Sequence, residues 1–212
     1  MARMSALERL MILSPVRAWL QRAEVAAFRR WSALEPGAAL LEVGCGNGVS
    51  TGLVSETFRP RRLVAFDYDL SMVERARRRL HRLPPTSPVE LTVADATRMP
   101  FADGEFDAVF EVGVVHHVPD WRAALLEVGR VLRRDGLLFF AEPSRGRLMR
   151  GLYRFIPHDR GSMFSTRELV AALSDAGLEL AVPLTRLPLW DIAGVACRVS
   201  SGPGALVRTP RA

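Results

Sequence analysis

The stretch from Ala38 to Val43 is a near-continuous apolar run that passes directly into Gly44-Cys45-Gly46-Asn47-Gly48 and then into an amphipathic segment from Val49 to Phe58. An apolar run of that length suits a strand buried on both faces, closely spaced glycines suit a sharp turn, and the amphipathic segment suits a helix. A strand, a tight loop and a helix in that order leave few folds open. The pattern then returns: Arg62 to Phe66 reads as a strand, and Ser71 to Leu83 as a helix opened by a capping box of Ser71 with Glu74. Repetition of the unit implies strands paired in parallel, because the helix between them carries the chain back to the start of the sheet.

Further along, Pro84, Pro85 and Pro88 mark a loop, Val89 to Ala94 a short strand ending at Asp95, and Asp103-Gly104 a turn before the strand Phe106 to Val112. Asp120 is placed to cap a helix from Trp121 to Arg134 that Gly136 stops, and Leu137 to Ala141 follows as a buried strand. Residues 142–164 lack clean periodicity, which in a compact domain points to function. Ser165 with Glu168 boxes one more helix, Leu169 to Ala176, ended by Gly177; Glu179 to Pro183 and Gly194 to Val199 are the last strand candidates. Ahead of all this, residues 15–33 read as a helix capped by Ser14, with Val16, Trp19, Leu20, Ala23, Ala27 and Trp31 on its apolar face. The expected organisation is a helical cap or lid over 1–36, a doubly wound α/β domain over 37–200, and a loose tail over 201–212.

The 29 basic residues are all arginine and leave a net charge of +6. They are spread along the chain, as on a solvated surface, and not gathered into a nucleic-acid footprint. Cys45 and Cys197 are too few for a disulfide scaffold and form no metal set with the scattered histidines, so free thiols and no metal are expected. No apolar run approaches the roughly 20 residues of a membrane span. Arg3, Glu8 and Arg9 interrupt the apolar residues at the N-terminus, so the reading excludes a signal peptide and places the chain in the cytoplasm.

In a doubly wound sheet the ligand lies beyond the carboxyl ends of the strands, and three features fall there: the glycine loop, Asp67 and Asp95. An acid roughly 20 residues after such a loop has the spacing of a ribose hydroxyl acceptor. The chain has no lysine, the loop reads G-x-G-x-G and not G-x-G-x-x-G, and Glu42, Asp67 and Asp95 make the pocket acidic within a basic protein. That sign reversal favours a cationic, phosphate-free nucleoside such as S-adenosylmethionine over a dinucleotide. Asp67 and Asp95 have an alternative role as caps of the turns that follow them, and Cys45 reads as a small buried filler, not a nucleophile.

Leu41-Glu42-Val43-Gly44-Cys45-Gly46-Asn47-Gly48 resembles the first motif of class I S-adenosylmethionine-dependent methyltransferases, and Ala65 to Val73 resembles their second-strand motif. Ala94-Asp95-Ala96, Met99-Pro100-Phe101, Phe106 to Val109 and His116-His117-Val118-Pro119-Asp120 resemble later motifs of the group that includes the ubiquinone and menaquinone biosynthesis methyltransferases. The resemblance implies a Rossmann-like seven-stranded sheet, mostly parallel with the last strand antiparallel, and S-adenosylmethionine as cofactor. It places Glu42, Gly44, Cys45, Gly46, Gly48, Asp67, Tyr68, Met72, Asp95, Ala96 and Glu111 at the cofactor, with Gly44 and Gly46 backing the methionine moiety, Asp67 holding the ribose hydroxyls and Asp95 near the adenine amino group.

Methyl transfer from a sulfonium is an in-line displacement, so the protein has chiefly to align the reactants and exclude water. A base is needed only where the acceptor loses a proton; for an O or C acceptor His117 is the candidate, with His116 beside it, and a structural hydrogen bond is the alternative role of either. Glu142, at the exit of the fifth strand, is a similar case. The acceptor is expected to be a small molecule, hydrophobic or lipid-like, under the first helix and the segment 142–164. Arginines interleaved with bulky apolar residues from Arg145 to Ile156 would suit an anionic membrane surface, but a lid packed on the sheet edge with its arginines outward is the favoured reading. No dipeptide cue for flipping an amino-bearing base is present, which argues against a nucleic acid acceptor. The competing classes are an NAD(P)-dependent Rossmann oxidoreductase and a non-catalytic partner subunit of methyltransferase fold.

Overall fold

The computed structural model describes residues 14–32, 34–82, 88–149 and 162–199; the loop prolines Pro84 and Pro85, most of the arginine-rich segment and the tail from Ser200 lie outside the described residues. A seven-stranded sheet of order β3-β2-β1-β4-β5-β7-β6 is built from β1 (Ala39–Val43), β2 (Arg62–Asp67), β3 (Val89–Val93), β4 (Phe106–Val112), β5 (Leu132–Glu142), β6 (Leu178–Leu180) and β7 (Ile192–Arg198). The first five strands are parallel, Leu41 standing opposite Val64 on one side and Val109 on the other. Strand β7 runs antiparallel to both its neighbours. This is the mostly parallel sheet with an antiparallel last strand that the family resemblance implies.

Helices α1 (Pro15–Trp31), α2 (Val49–Phe58), α3 (Leu70–Leu80), α4 (Trp121–Val131), the short α5 (Arg145–Leu148) and α6 (Thr166–Asp175) complete the described elements together with a one-turn helix, Val115–His117. Strand β1 is buried at every position, which explains why all its residues but Glu42 are apolar. Leu41, Val64, Phe66 and Val109 meet Trp121, Leu125 and Val128 of α4 and Leu169 and Leu173 of α6 on one face of the sheet. Leu40, Leu63, Phe110 and Phe139 meet Val25 and Phe28 of α1 and Val54 and Phe58 of α2 on the other. There the Phe110 and Phe139 rings stack at 4.6 Å, and Phe58 packs on Phe110 at 5.0 Å. Each such buried ring contributes about 1.5–3 kcal/mol by leaving water. Among the described residues no helix is long and apolar enough to cross a membrane.

Three elements differ from the sequence reading. Helix α3 is capped by Asp69, whose Oδ1 accepts the Ser71 N–H at 2.8 Å, so Ser71 lies inside the helix and makes no capping box. Helix α4 stops at Val131, before the expected Arg134, because Leu132 pairs with Phe106 and enters the sheet; the register then jumps between Phe106 and Ala108, and Asp135 takes a left-handed conformation with φ +60°. Helix α1 is rotated from its expected face: Val16 and Trp19 are 66% and 65% exposed, whereas Leu20, Glu24, Val25, Ala27 and Phe28 are buried. The cause is Glu24, which accepts hydrogen bonds from Arg17 at 2.8 and 2.9 Å and from the Trp190 indole at 2.7 Å. The guanidinium of Arg17 also lies 5.3 Å from the Trp190 ring centroid. A charged side chain is buried only when paired, and this pairing draws Arg17 inward and leaves Trp19 outside.

Candidate functional site

The loop after β1 turns on its glycines. Gly44 has φ +72°, and a Cβ there would come within 2.3 Å of Val114 Cγ2, so only glycine lets the loop pass this close to the end of β4. Gly48, at φ +79°, opens α2 against α3, where a Cβ would lie 2.8 Å from Ala76 Cα. Beside Gly46, by contrast, an added Cβ would meet nothing within 4 Å, so there is open space next to the loop. From α3, Arg79 donates to the Asn47 carbonyl at 3.0 Å and fixes the loop.

Asp67 closes β2 and is bonded to that loop: Oδ2 accepts the Gly46 N–H at 2.9 Å and Oδ1 accepts the Asp69 N–H at 2.9 Å. Burial raises its carboxyl above the ordinary carboxylate range, while these amide donors oppose the rise. The Tyr68 N–H is a third donor to this carboxylate, which leaves one of its four acceptor positions for a hydroxyl of a ligand. Asp95 is half-buried, and its Oδ1 takes both the Thr97 N–H and the Thr97 hydroxyl at 2.8 Å. It caps the turn after β3, the ordinary work of an Asp at a strand end.

Glu42 is enclosed by its own partners. It is 4% exposed, with Oε1 hydrogen-bonded by the Ser50 hydroxyl and Oε2 by the Thr51 hydroxyl at 2.5 Å, and burial lifts its carboxyl to about 7. It ties β1 to the first turn of α2, so the acidity displayed beside the loop rests on Asp67 and Asp95. Cys45, Met72 and Ala96 are packed inside, and burial pushes the Cys45 thiol up, which leaves no thiolate for nucleophilic work. Tyr68 is exposed on the loop after β2.

At the ends of β4 and β5 the side chains form a second cluster. Glu111 and Glu142 are both buried and share the amides of Val114 and Val115: the Val114 N–H reaches Glu111 Oε1 at 2.8 Å and Glu142 Oε1 at 2.9 Å, and the Val115 N–H reaches them at 3.2 and 2.7 Å. The other oxygen of Glu142, Oε2, lies 2.6 Å from His116 Nδ1. Burial raises both carboxyls, and the charge of Glu142 raises Glu111 further. The His116 and His117 rings lie 3.9 Å apart, with His116 buried and His117 half-buried. Among the described residues no group of His, Cys, Asp and Glu has a metal-holding arrangement.

The sequence reading thus brings Gly44, Gly46, Asp67, Tyr68, Asp95 and His117 to accessible positions, and sets Glu42, Cys45, Met72, Ala96, Glu111 and His116 behind them. It missed Trp190, which packs against Gly113 and lies 6.3 Å from the His116 ring, linking α1 to the site through Glu24. No local pattern could reveal a contact between residues so far apart in the chain. It also understated Glu142, whose only local signal was its position at a strand exit. Open space beside Gly46, a carboxylate with one acceptor position to spare at Asp67, and an Arg79 already used on a carbonyl suit a phosphate-free nucleoside better than a phosphorylated one.

Residues 41–140 match the family model described as a methyltransferase domain. The chain is 36% identical over 106 residues to a fatty-acid O-methyltransferase of Mycolicibacterium smegmatis, an overlap of 50% of this chain and 37% of the relative. It is 32% identical over 152 residues to the 27-O-demethylrifamycin SV methyltransferase of Amycolatopsis mediterranei, covering 69% of this chain and 56% of that one. The chain therefore spans about half or less of the length of these curated relatives. Among solved structures, a S-adenosylmethionine-dependent methyltransferase from Aquifex aeolicus superposes with a TM-score of 0.74 at 20% identity, over 93% of this chain and 100% of that one. The fold is thus that of class I S-adenosylmethionine-dependent methyltransferases.

Proposed function

We propose that the chain transfers a methyl group from S-adenosylmethionine to a hydrophobic small-molecule acceptor, a reading supported by the match of residues 41–140 to the methyltransferase-domain model. The single observation that carries this reading is the bond from Gly46 N–H to Asp67, which joins the two elements a nucleoside would bridge beside open space. The cofactor supplies the electrophilic methyl and its own leaving group. Asp67 would accept a ribose hydroxyl, Gly44 and Gly46 would let the backbone approach the methionine part, and Asp95 would lie near the adenine. Tyr68 would lie along the ribose side.

The class of acceptor rests on relatives named for a fatty acid and for a rifamycin, and the motif likeness to the quinone-biosynthesis group adds aromatic and isoprenoid compounds to it. His117, with His116 beside it, would orient the acceptor or take its proton. The rotated α1, latched through Trp190, would roof the acceptor side. Two free thiols support action in a reducing compartment, the cytoplasm.

Calorimetric titration tests the reading. S-adenosylmethionine and its demethylated product should bind in the micromolar range, and NAD should not. Tight NAD binding without S-adenosylmethionine binding would favour the oxidoreductase, and cofactor binding without turnover on fatty acid, phenol, quinol and amine panels would favour a non-catalytic partner.

A further inference from the structure

We infer that the end of the molecule where the parallel strands finish is a docking surface for an anionic lipid bilayer, with Val16 and Trp19 entering the interface and arginines resting on the headgroups. The rotation of α1 creates it. Pairing Arg17 with Glu24 leaves Val16 and Trp19 66% and 65% exposed, and the Arg17–Trp190 contact sets the start of α1 beside the start of β7. Ile192 of β7 stands opposite Glu142, the last residue of β5, so Trp19 sits at the carboxyl end of the sheet. Other large exposed apolar side chains gather at that end: Tyr68 and Leu70 follow β2, Val93 closes β3, and Met149 follows α5. Among the described residues Leu126, Leu180 and Val199 are the large exposed apolar side chains that lie elsewhere. One exposed apolar side chain is ordinary, whereas a group of them at the mouth of a site marks an interaction surface.

Charge selects the partner. At the same end Arg98 in the turn after β3, Arg122 at the start of α4, Arg167 at the start of α6 and Arg186 are exposed; Arg186 is placed there by Thr185, which bridges to Ala193 of β7. Among the described residues Asp120 is the exposed carboxylate that stands with them. At the opposite end exposed arginines such as Arg59 and Arg134 are instead mixed with Glu35, Glu56, Asp103, Asp135 and Asp175. Arginine on anionic headgroups and tryptophan at the depth of the headgroups are the two contacts a bilayer surface offers. A nucleic acid would take the arginines but offers nothing to Val16, Leu70 and Met149, and a second copy of this face would bring like charges together. The bilayer accommodates both sets. If the methyltransferase reading holds, an apolar acceptor need not cross water, because the crevice beyond the strand ends lies at the end that meets the lipid.

Sedimentation of the full chain with lipid vesicles tests the surface without cofactor or acceptor. The chain should sediment with vesicles of phosphatidylcholine mixed with phosphatidylglycerol and not with phosphatidylcholine alone, and added salt should release it, because headgroup attraction is screened within a Debye length. Trp19→Ser should weaken binding about tenfold. Arg167→Ser and Arg186→Ser should each weaken it about fivefold, whereas Arg59→Ser and Arg134→Ser, at the opposite end, should leave it unchanged. All five side chains are exposed, so the substitutions leave the core intact. The difference in fluorescence between the wild type and Trp19→Phe isolates Trp19; it should be quenched by acrylamide in solution and shift to the blue on the mixed vesicles. Failure to bind the mixed vesicles, equal binding to the neutral ones, or tighter binding to RNA or duplex DNA would overturn the inference. So would a Trp19 already shielded from acrylamide without vesicles, which would mean that a second copy or another part of the chain covers it. Failure to bind S-adenosylmethionine would strike the methyltransferase reading and leave the vesicle result untouched.

Discussion

The Trp190 indole donates to Glu24 at 2.7 Å, a bond between residues 166 positions apart that fastens the first helix to the connection before the last strand. Because the acceptor is a buried carboxylate, Trp190→Phe should cost about 1.5–3 kcal/mol. A double-mutant cycle with Glu24→Gln, read by urea denaturation, should show that the two losses do not add.

Asp67→Ala removes a hydroxyl acceptor and frees the amides of Gly46 and Asp69 together. Hydrogen bonds to a charged group are worth about 1.5–3 kcal/mol each, so affinity for S-adenosylmethionine should fall by two orders of magnitude or so. Calorimetry measures it directly; unchanged affinity would remove the ribose from this position.

Gly44→Ala forces a methyl to within 2.3 Å of Val114 Cγ2 on a backbone that already has positive φ. Overpacking and left-handed strain together should cost about 2–4 kcal/mol. Gly46→Ala, with nothing within 4 Å, should cost less in stability and more in cofactor affinity. The contrast between thermal denaturation and titration separates the two glycines.

Glu42 gives a pH signature with a definite sign. Its folded pKa, about 7, lies above the ordinary 4.5, so between these values the folded state binds more protons than the unfolded one. Its contribution to stability is therefore fully present below pH 4.5 and is lost as pH rises to about 7, for a total of about 3 kcal/mol. Glu42→Gln should flatten that part of the stability curve, and comparison with the wild type isolates it from the buried Glu111 and Glu142.

The fold was legible because its signals are local. The apolar run at β1, the glycines after it and the caps at Ser14, Asp120 and Ser165 each act within a few residues, and the structure keeps all of them. What was misread depended on distant partners. Arg17 and Glu24 look solvent-facing by composition, and only Trp190 makes their burial favourable. The end of α4 was set by the pairing of Leu132 with Phe106, which no helix propensity reports. At the site, Asp67 was readable from its spacing to the glycine loop, whereas the shared amides of Glu111 and Glu142 appear only when β4 and β5 lie side by side.

The buried Cys45 has a practical consequence. Being 2% exposed within the glycine loop, its sulfur is closed to alkylating reagents and oxidants while the loop holds its shape. Labelling at this position is a natural clock for local opening, and any compound that fastens the loop will slow it. Screening for ligands then needs neither an engineered probe nor a known substrate, only mass spectrometry of one native thiol.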